Sequence, residues 1–218
     1  MRLIVRVYLG RRLFKVTGRE RMPLTGGVIV CANHASTVDV ALVPAYLPRD
    51  DSWSMSKSEN FAHPLAAGVY RRYNAFPVVR HSADRAAIRR SLEILAGEVL
   101  VIYPEGYRVP EGGLQPAEPG VGFLARTSKA VVQPIALVGT RACFPPRAHW
   151  PRRVPVEIRF APPLRIRERR PDGTRVTNQE AADAVMLAIA EQLPAEMRGV
   201  YADLGGLRKR LEGVAHLA

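Results

Sequence analysis

The stretch GVIVCANHASTVD, from Gly27 to Asp39, joins a short apolar run to a polar cluster holding one histidine and one aspartate. Val28 to Ala32 follow the turn signal Thr25-Gly26-Gly27, and a continuous apolar run of that length suits a strand buried on both faces. Val38, Val40, Ala41, Leu42 and Val43, ended by Pro48, suit a helix that begins near Ser36. His34 then falls in the corner between strand and helix. Asp39, in the first helical turn, can reach back and hold one imidazole nitrogen, leaving the other free to take a proton. A structural reading stands beside this one: Ser36-Thr37-Val38-Asp39 also matches a capping box, and His34 alone can be a hydrogen-bonded core histidine. Later segments, which again place polar residues directly after apolar strands, favour the chemical reading.

Working outward, size and composition set the bounds. With 218 residues, 47% of them hydrophobic, the chain is long enough for one well-buried domain and short for two. Cys31 and Cys143 both sit among apolar residues, which argues against a disulfide framework or a thiolate metal site and points to a reducing compartment. Cys31 lies three residues before His34, so a Cys-His pair is conceivable, but Cys31 reads first as a small buried core residue. The net charge of +12 calls for an anionic partner: nucleic acid, an acidic membrane surface or a negatively charged substrate carrier. No apolar run reaches the ~18 residues that a spanning helix needs, so attachment to a bilayer is expected to be interfacial.

Residues 1–16, MRLIVRVYLGRRLFKV, alternate apolar residues with arginine and lysine. They read as a short basic amphipathic helix, either lying among lipid head groups or packed on the domain. On the other side of the opening stretch, Trp53 to Ser56 reads as a strand and Pro64 to Arg72 as a helix. Lys57, between them, is a candidate phosphate ligand or a solvated charge. Asn74-Ala-Phe-Pro-Val-Val-Arg80 reads as a strand entered through a turn at Asn74, which tolerates positive φ, and ending in an arginine suited to anions. The apolar residues between Ala83 and Ala96 follow helical spacing. Val99 to Tyr103 is a further buried strand, followed at once by Tyr103-Pro-Glu105-Gly106-Tyr107-Arg108. Glu111 to Pro119 is a loop. Val131-Val-Gln-Pro134-Ile-Ala-Leu137 is an apolar strand interrupted by proline, which places it at an edge or bulge bordering a cleft. Val154 to Phe160 alternates as a strand, Arg165 to Arg175 is a basic loop, Thr177-Asn-Gln-Glu180 is a capping box opening a helix, and Tyr201 onward reads as a helical tail.

Asn33-His34-x4-Asp39, Lys57-Ser-Glu59, the strand ending in Arg80, Tyr103-Pro-Glu105-Gly106-x-Arg108 and Val131 to Leu137 together resemble the motifs of the glycerolipid acyltransferase family, which includes 1-acylglycerol-3-phosphate acyltransferases. The segment from Tyr103 to Arg108 resembles Phe-Pro-Glu-Gly-Thr-Arg-Ser, with Tyr107 and Val109 in place of the two hydroxyl residues. The resemblance runs from about Phe14 to Leu164. It implies transfer of a fatty acyl group from acyl-CoA or acyl carrier protein to the free hydroxyl of 1-acylglycerol-3-phosphate, giving phosphatidic acid, with no metal and no cofactor. His34 would take the proton from the acceptor hydroxyl while Asp39 holds its tautomer. Glu105, Gly106 and Arg108 would bind the glycerol phosphate, with Arg80 and Lys57 adding positive charge.

The alternation of apolar strands and helices predicts an α/β fold: one domain with a largely parallel or mixed central sheet flanked by helices. Its expected limits are residues 17–200, preceded by the amphipathic segment 1–16 and followed by a helical tail, 201–218. The expected partners are a lysophospholipid, the acyl donor and an anionic membrane surface at the cytoplasmic face, with peripheral or monotopic attachment. One rival keeps the chemistry and changes the acceptor to another lysophospholipid or lipid alcohol, as Tyr107 and Val109 suggest. A more distant rival, a basic nucleic-acid-binding protein, has charge in its favour but no recognition motif for RNA or DNA and few aromatic residues.

Overall fold

The computed structural model describes residues 14–79, 84–109, 113–146 and 148–218. Strand β2 (Val28–Ala32) lies at the centre, and every one of its side chains is buried. It pairs in parallel with β5 (Val99–Ile102) on one side and with β6 (Val131–Val138) on the other. Beyond β5 come β3 (Ser52–Lys57) and β4 (Ala75–Val78), both parallel. Beyond β6 the antiparallel β7 (Val156–Phe160) is followed by β1 (Phe14–Thr17), parallel to it. Two short strands, β8 (Leu164–Ile166) and β9 (Ala215–Leu217), extend the sheet from the start of β6. The sheet is thus mixed and mostly parallel.

Period-two alternation divides the strands between two cores. Ile29, Cys31, Leu100 and Val132 face the helices α3 (Arg85–Ile94), α4 (Pro119–Ser128) and α6 (Asn178–Ala190), meeting Ile94, Leu124, Val185 and Ile189. Val28, Val30, Val99 and Val101 face the other way, toward Val43 of α1 (Asp39–Tyr46) and Leu47. Because both faces are covered, the inner strands are continuous apolar runs. Helix α2 (Pro64–Arg72) completes the crossover between β3 and β4. A single turn, α5 (Thr140–Cys143), follows β6, and α7 (Leu204–Arg210) precedes β9.

Local chemistry sets the element ends. Helix α1 stops before Leu47, whose extended backbone is the one Pro48 imposes on its predecessor, and Arg19 donates to the carbonyls of Tyr46 and Leu47 at that terminus. The capping box at Thr177 and Glu180 forms as the sequence indicates. Asn74 takes φ 53°, the left-handed turn that leads into β4.

Several expectations are corrected. Phe14 to Thr17 form an edge strand, so the expected N-terminal helix does not continue through Phe14; residues 1–13 lie outside the described residues. The tail from Tyr201 is not only helical, because it ends in β9. Part of the expected basic loop, at its start, is β8. Most informative is β6, which is interior rather than an edge, although it contains Pro134. Ala161 donates to the Pro134 carbonyl, and its own carbonyl, which the missing proline N–H would have paired, accepts from the Gln133 side-chain amide at 2.8 Å. A neighbouring side chain has replaced the absent backbone donor.

Candidate active site

Two loops meet at the carboxyl ends of β2 and β5. The first, Asn33 to Val38, is pinned from below by Asn33, whose side chain donates to the Leu137 carbonyl and accepts from the Leu137 amide, so that it substitutes for a strand partner. The second, Tyr103 to Val109, turns sharply at Gly106, where φ is +75°. It is tied to the first by the Val109 amide donating to the His34 carbonyl at 2.8 Å and by the His34 amide donating to Glu105 Oε1 at 2.9 Å.

Between the loops the His34 ring stacks on Tyr103, centroids 4.2 Å apart. Its Nδ1 lies 2.9 Å from Asp39 Oδ2, and Asp39 is fully buried. The same carboxylate oxygen accepts the backbone amides of Ala35, at 2.9 Å, and Ser36, at 2.7 Å. Asp39 therefore holds the His34 ring and also caps backbone amides of its own loop. Only its reciprocal half is missing from the capping box, since the Ser36 hydroxyl donates instead to the Phe144 carbonyl and α1 begins at Asp39. A carboxylate accepts and cannot donate, so Nδ1 carries a proton, and in the neutral ring the lone pair is on Nε2. His34 lines the main cavity. The arrangement can take a proton from an alcohol held there.

That cavity, of about 1390 Å³, opens where β3 leaves β5. The two strands pair only from Ser52 to Ser54, after which β3 continues with β4 alone. Ser52, Ser54 and Ser56, on one face of β3, line the cavity beside Ala41 and Pro44 of α1. On the other face it meets Met55, Ala87, Ile88 and Leu124. The expectation that β6 would border the cleft is overturned, since among the described residues its lining contains none from that strand.

The sequence-derived site residues are distributed unevenly around this space. Gly106 and Lys57 line it, Lys57 with an exposed side chain. Arg108 is exposed and donates to the Thr37 hydroxyl, bridging the two loops at the mouth. Arg80 lies outside the described residues. Glu105 departs most from its expected place: it is 1% exposed and its oxygens accept the amides of His34 and Gln115. Burial drives its pKa up to about 7 against the pull of those two hydrogen bonds. In this geometry it braces the loop under His34, and it is not among the residues that line the cavity. Tyr107 and Val109, which suggested a different acceptor, are not among the lining residues, and Val109 is core. Cys31 is fully buried in the core beneath the helices, and that burial raises its thiol pKa, so it is a core residue and not a partner for His34.

Sequence reasoning assigned no role to Tyr103 or Ser54. The alternation Ser-Trp-Ser-Met-Ser from Ser52 to Ser56 was the available signal for a polar strand face, but nothing local says that this face meets a cavity.

A mostly parallel sheet thus carries a His–Asp pair at its strand ends, the aspartate buried and the histidine reaching the cavity, an arrangement that can activate a bound hydroxyl. The chain belongs to the acyltransferase family, whose model matches residues 13–138, more than half of its length. It is distantly related to 1-acyl-sn-glycerol-3-phosphate acyltransferases: 28% identical over 126 residues to one from Bacillus subtilis (strain 168), covering 57% of this chain and 62% of the relative. A second, from Cocos nucifera, is 28% identical over 146 residues, 65% of this chain and 46% of the relative. The chain thus spans roughly half to three-fifths of these relatives. In fold it is similar to the crystal structure of the 1-acyl-sn-glycerophosphate acyltransferase of Thermotoga maritima, with a TM-score of 0.64 at 23% identity, over 82% of this chain and 70% of the other.

Proposed function

We propose that this acyltransferase moves a fatty acyl group from a thioester donor to the free hydroxyl of 1-acylglycerol-3-phosphate, giving phosphatidic acid in phospholipid biosynthesis. The observation that carries the reading is the His34–Asp39 pair held at the mouth of the cavity. His34 Nε2 takes the proton as the acceptor oxygen attacks the thioester carbonyl. Asp39 stabilises the imidazolium, and the tetrahedral intermediate collapses with the proton passing to the departing thiolate. No covalent enzyme intermediate is needed. Gly106 lets the backbone pass close to the acceptor, while Arg108 and Lys57 supply positive charge for its phosphate, with Arg80 as a further candidate.

An anionic membrane surface fits the exposed side of the molecule. Leu65, Val69 and Tyr73 are spaced along α2 and its end so that they share a face. They are 78%, 57% and 49% exposed, and Arg71 and Arg72 stand beside them. Val69 and Tyr73 also line the cavity, so a lipid leaving the surface has a short way in. Among the described residues no helix is long and apolar enough to cross a membrane.

The test is acyl transfer from acyl-CoA and from acyl carrier protein to a panel of lysolipids, by the wild type and His34→Ala in parallel. The expected outcome is labelled phosphatidic acid with the wild type and a loss of at least about a hundredfold in the variant. Acylation of a different lysolipid only would move the acceptor assignment, and equal transfer by His34→Ala would end the proposed role of His34.

A further inference from the structure

A second cavity, of about 490 Å³, is lined by Phe123, Arg126, Thr127, Glu168, Arg169, Arg175 and Asn178. Its charge is unbalanced in a way the fold does not require. Arg169 and Arg175 are directly opposite partners in an isolated antiparallel bridge, so their side chains start from the same face. Like charges so placed repel each other and destabilise the turn that carries them. Arg126 reaches Asn178 Oδ1 at 2.6 Å, a neutral acceptor, and its Nε is buried without a hydrogen-bond partner. Arg169 donates to the Gly173 carbonyl at 2.9 Å, also neutral. The one carboxylate at the pocket, Glu168, is 3.3 Å from Lys129 Nζ. Three guanidiniums therefore converge on a concavity, and among the described residues no carboxylate pairs with any of them.

The position of the pocket says what would fill it. Phe123 and Asn178 line both cavities, so the arginine pocket adjoins the main one along α4. Pro119 of α4 lines the main cavity and Arg126 the second, and at the helical rise these positions are about 10 Å apart along the axis. An extended pantetheine arm covers that span. Guanidiniums present paired donors that match phosphate oxygens, and a concave site suits phosphate esters better than the convex surface of a carrier protein.

We propose that Arg126, Arg169 and Arg175 bind the phosphate groups of coenzyme A when it delivers the acyl chain, which makes the coenzyme A thioester the donor. This rests on the acyl-transfer reading above and deepens it. The pantetheine arm runs beside α4 with its thioester end toward His34, and the nucleotide phosphates neutralise the opposed arginines.

The experiment is calorimetric titration of the full chain, wild type and Arg169→Gln/Arg175→Gln, with coenzyme A and with pantetheine, which carries no phosphate. Both substituted residues are exposed, and an unchanged unfolding temperature will show that the fold is kept. Binding of coenzyme A is expected to weaken at least tenfold in the variant while pantetheine binds both proteins alike. The proposal is overturned if the wild type does not bind coenzyme A, if the variant binds it as well as the wild type, or if pantetheine binding falls by the same factor. Loss of binding confined to lysophosphatidic acid vesicles would assign the arginines to a lipid phosphate, and a loss confined to acyl carrier protein would assign them to a protein surface; either result also overturns it. Because binding is read without turnover, failure of the transfer assay would strike the acyl-transfer reading separately.

Discussion

One carboxylate oxygen of Asp39 accepts from the His34 ring and from two backbone amides. Folding of the loop and orientation of the base are therefore one event. Asp39→Asn keeps an oxygen for the amides but supports the required tautomer and the imidazolium poorly. Turnover should fall by on the order of a hundredfold to ten-thousandfold, measured as kcat with saturating donor, while the urea midpoint moves far less than in Asp39→Ala. Glu105 carries a pH signature. Its pKa rises on folding from 4.5 to about 7. Between those values the folded protein holds a proton that the unfolded chain has released, so rising pH favours unfolding across that window. The contribution is fully present below pH 4.5 and lost as pH passes about 7, on the order of 3 kcal/mol in all. Urea unfolding of the wild type and Glu105→Gln from pH 4.5 to 8 will show it as a stability difference that shrinks or reverses with rising pH. Parallel curves would mean that Glu105 is ionised throughout.

At the level of elements, close approach decides what the sequence tolerates. Helices α4 and α6 meet at Gly122, where a Cβ would fall 1.9 Å from the Asn178 carbonyl oxygen. Gly122→Ala therefore forces the helices apart and should cost about 2 kcal/mol or more, seen as a lowered unfolding midpoint. Gln133→Leu keeps the volume but leaves the Ala161 carbonyl unpaired beside Pro134, a cost of about 1–3 kcal/mol in the same measurement. Most elements were legible in the sequence because their signals are local: the apolar run of β2, the Thr177 capping box, the left-handed Asn74. The place of β6 was not. Pro134 argues for an edge, and that argument fails because a residue one position away supplies the missing donor, a compensation visible only once β7 is packed alongside.

For the molecule as a whole, the charge of +12 and the exposed apolar face of α2 act together at a surface. Leu65→Asp/Val69→Asp should reduce co-sedimentation with anionic vesicles severalfold without lowering stability in solution, because both side chains already face water. Binding of the wild type should weaken as salt rises. Retention of full binding by the variant would place the membrane contact elsewhere on the surface.

The sequence by itself determined the α/β alternation, the buried central strand and the His34–Asp39 pair, because these signals are local: apolar runs, helical spacing and the five-residue interval within one strand-to-helix corner. Only the tertiary structure decided which face each residue presents. Glu105 lies within the motif of the expected acceptor site, yet the pairing of β2 with β5 turns it beneath His34. Ser54 and Ser56 read as ordinary strand residues until the early divergence of β3 from β5 opens a cavity over them. Arg126 and Arg169 are far apart in the chain and meet only because α4 packs beside the turn before α6. Burial and facing are properties of pairs of elements, and no single stretch of chain encodes its partner's position.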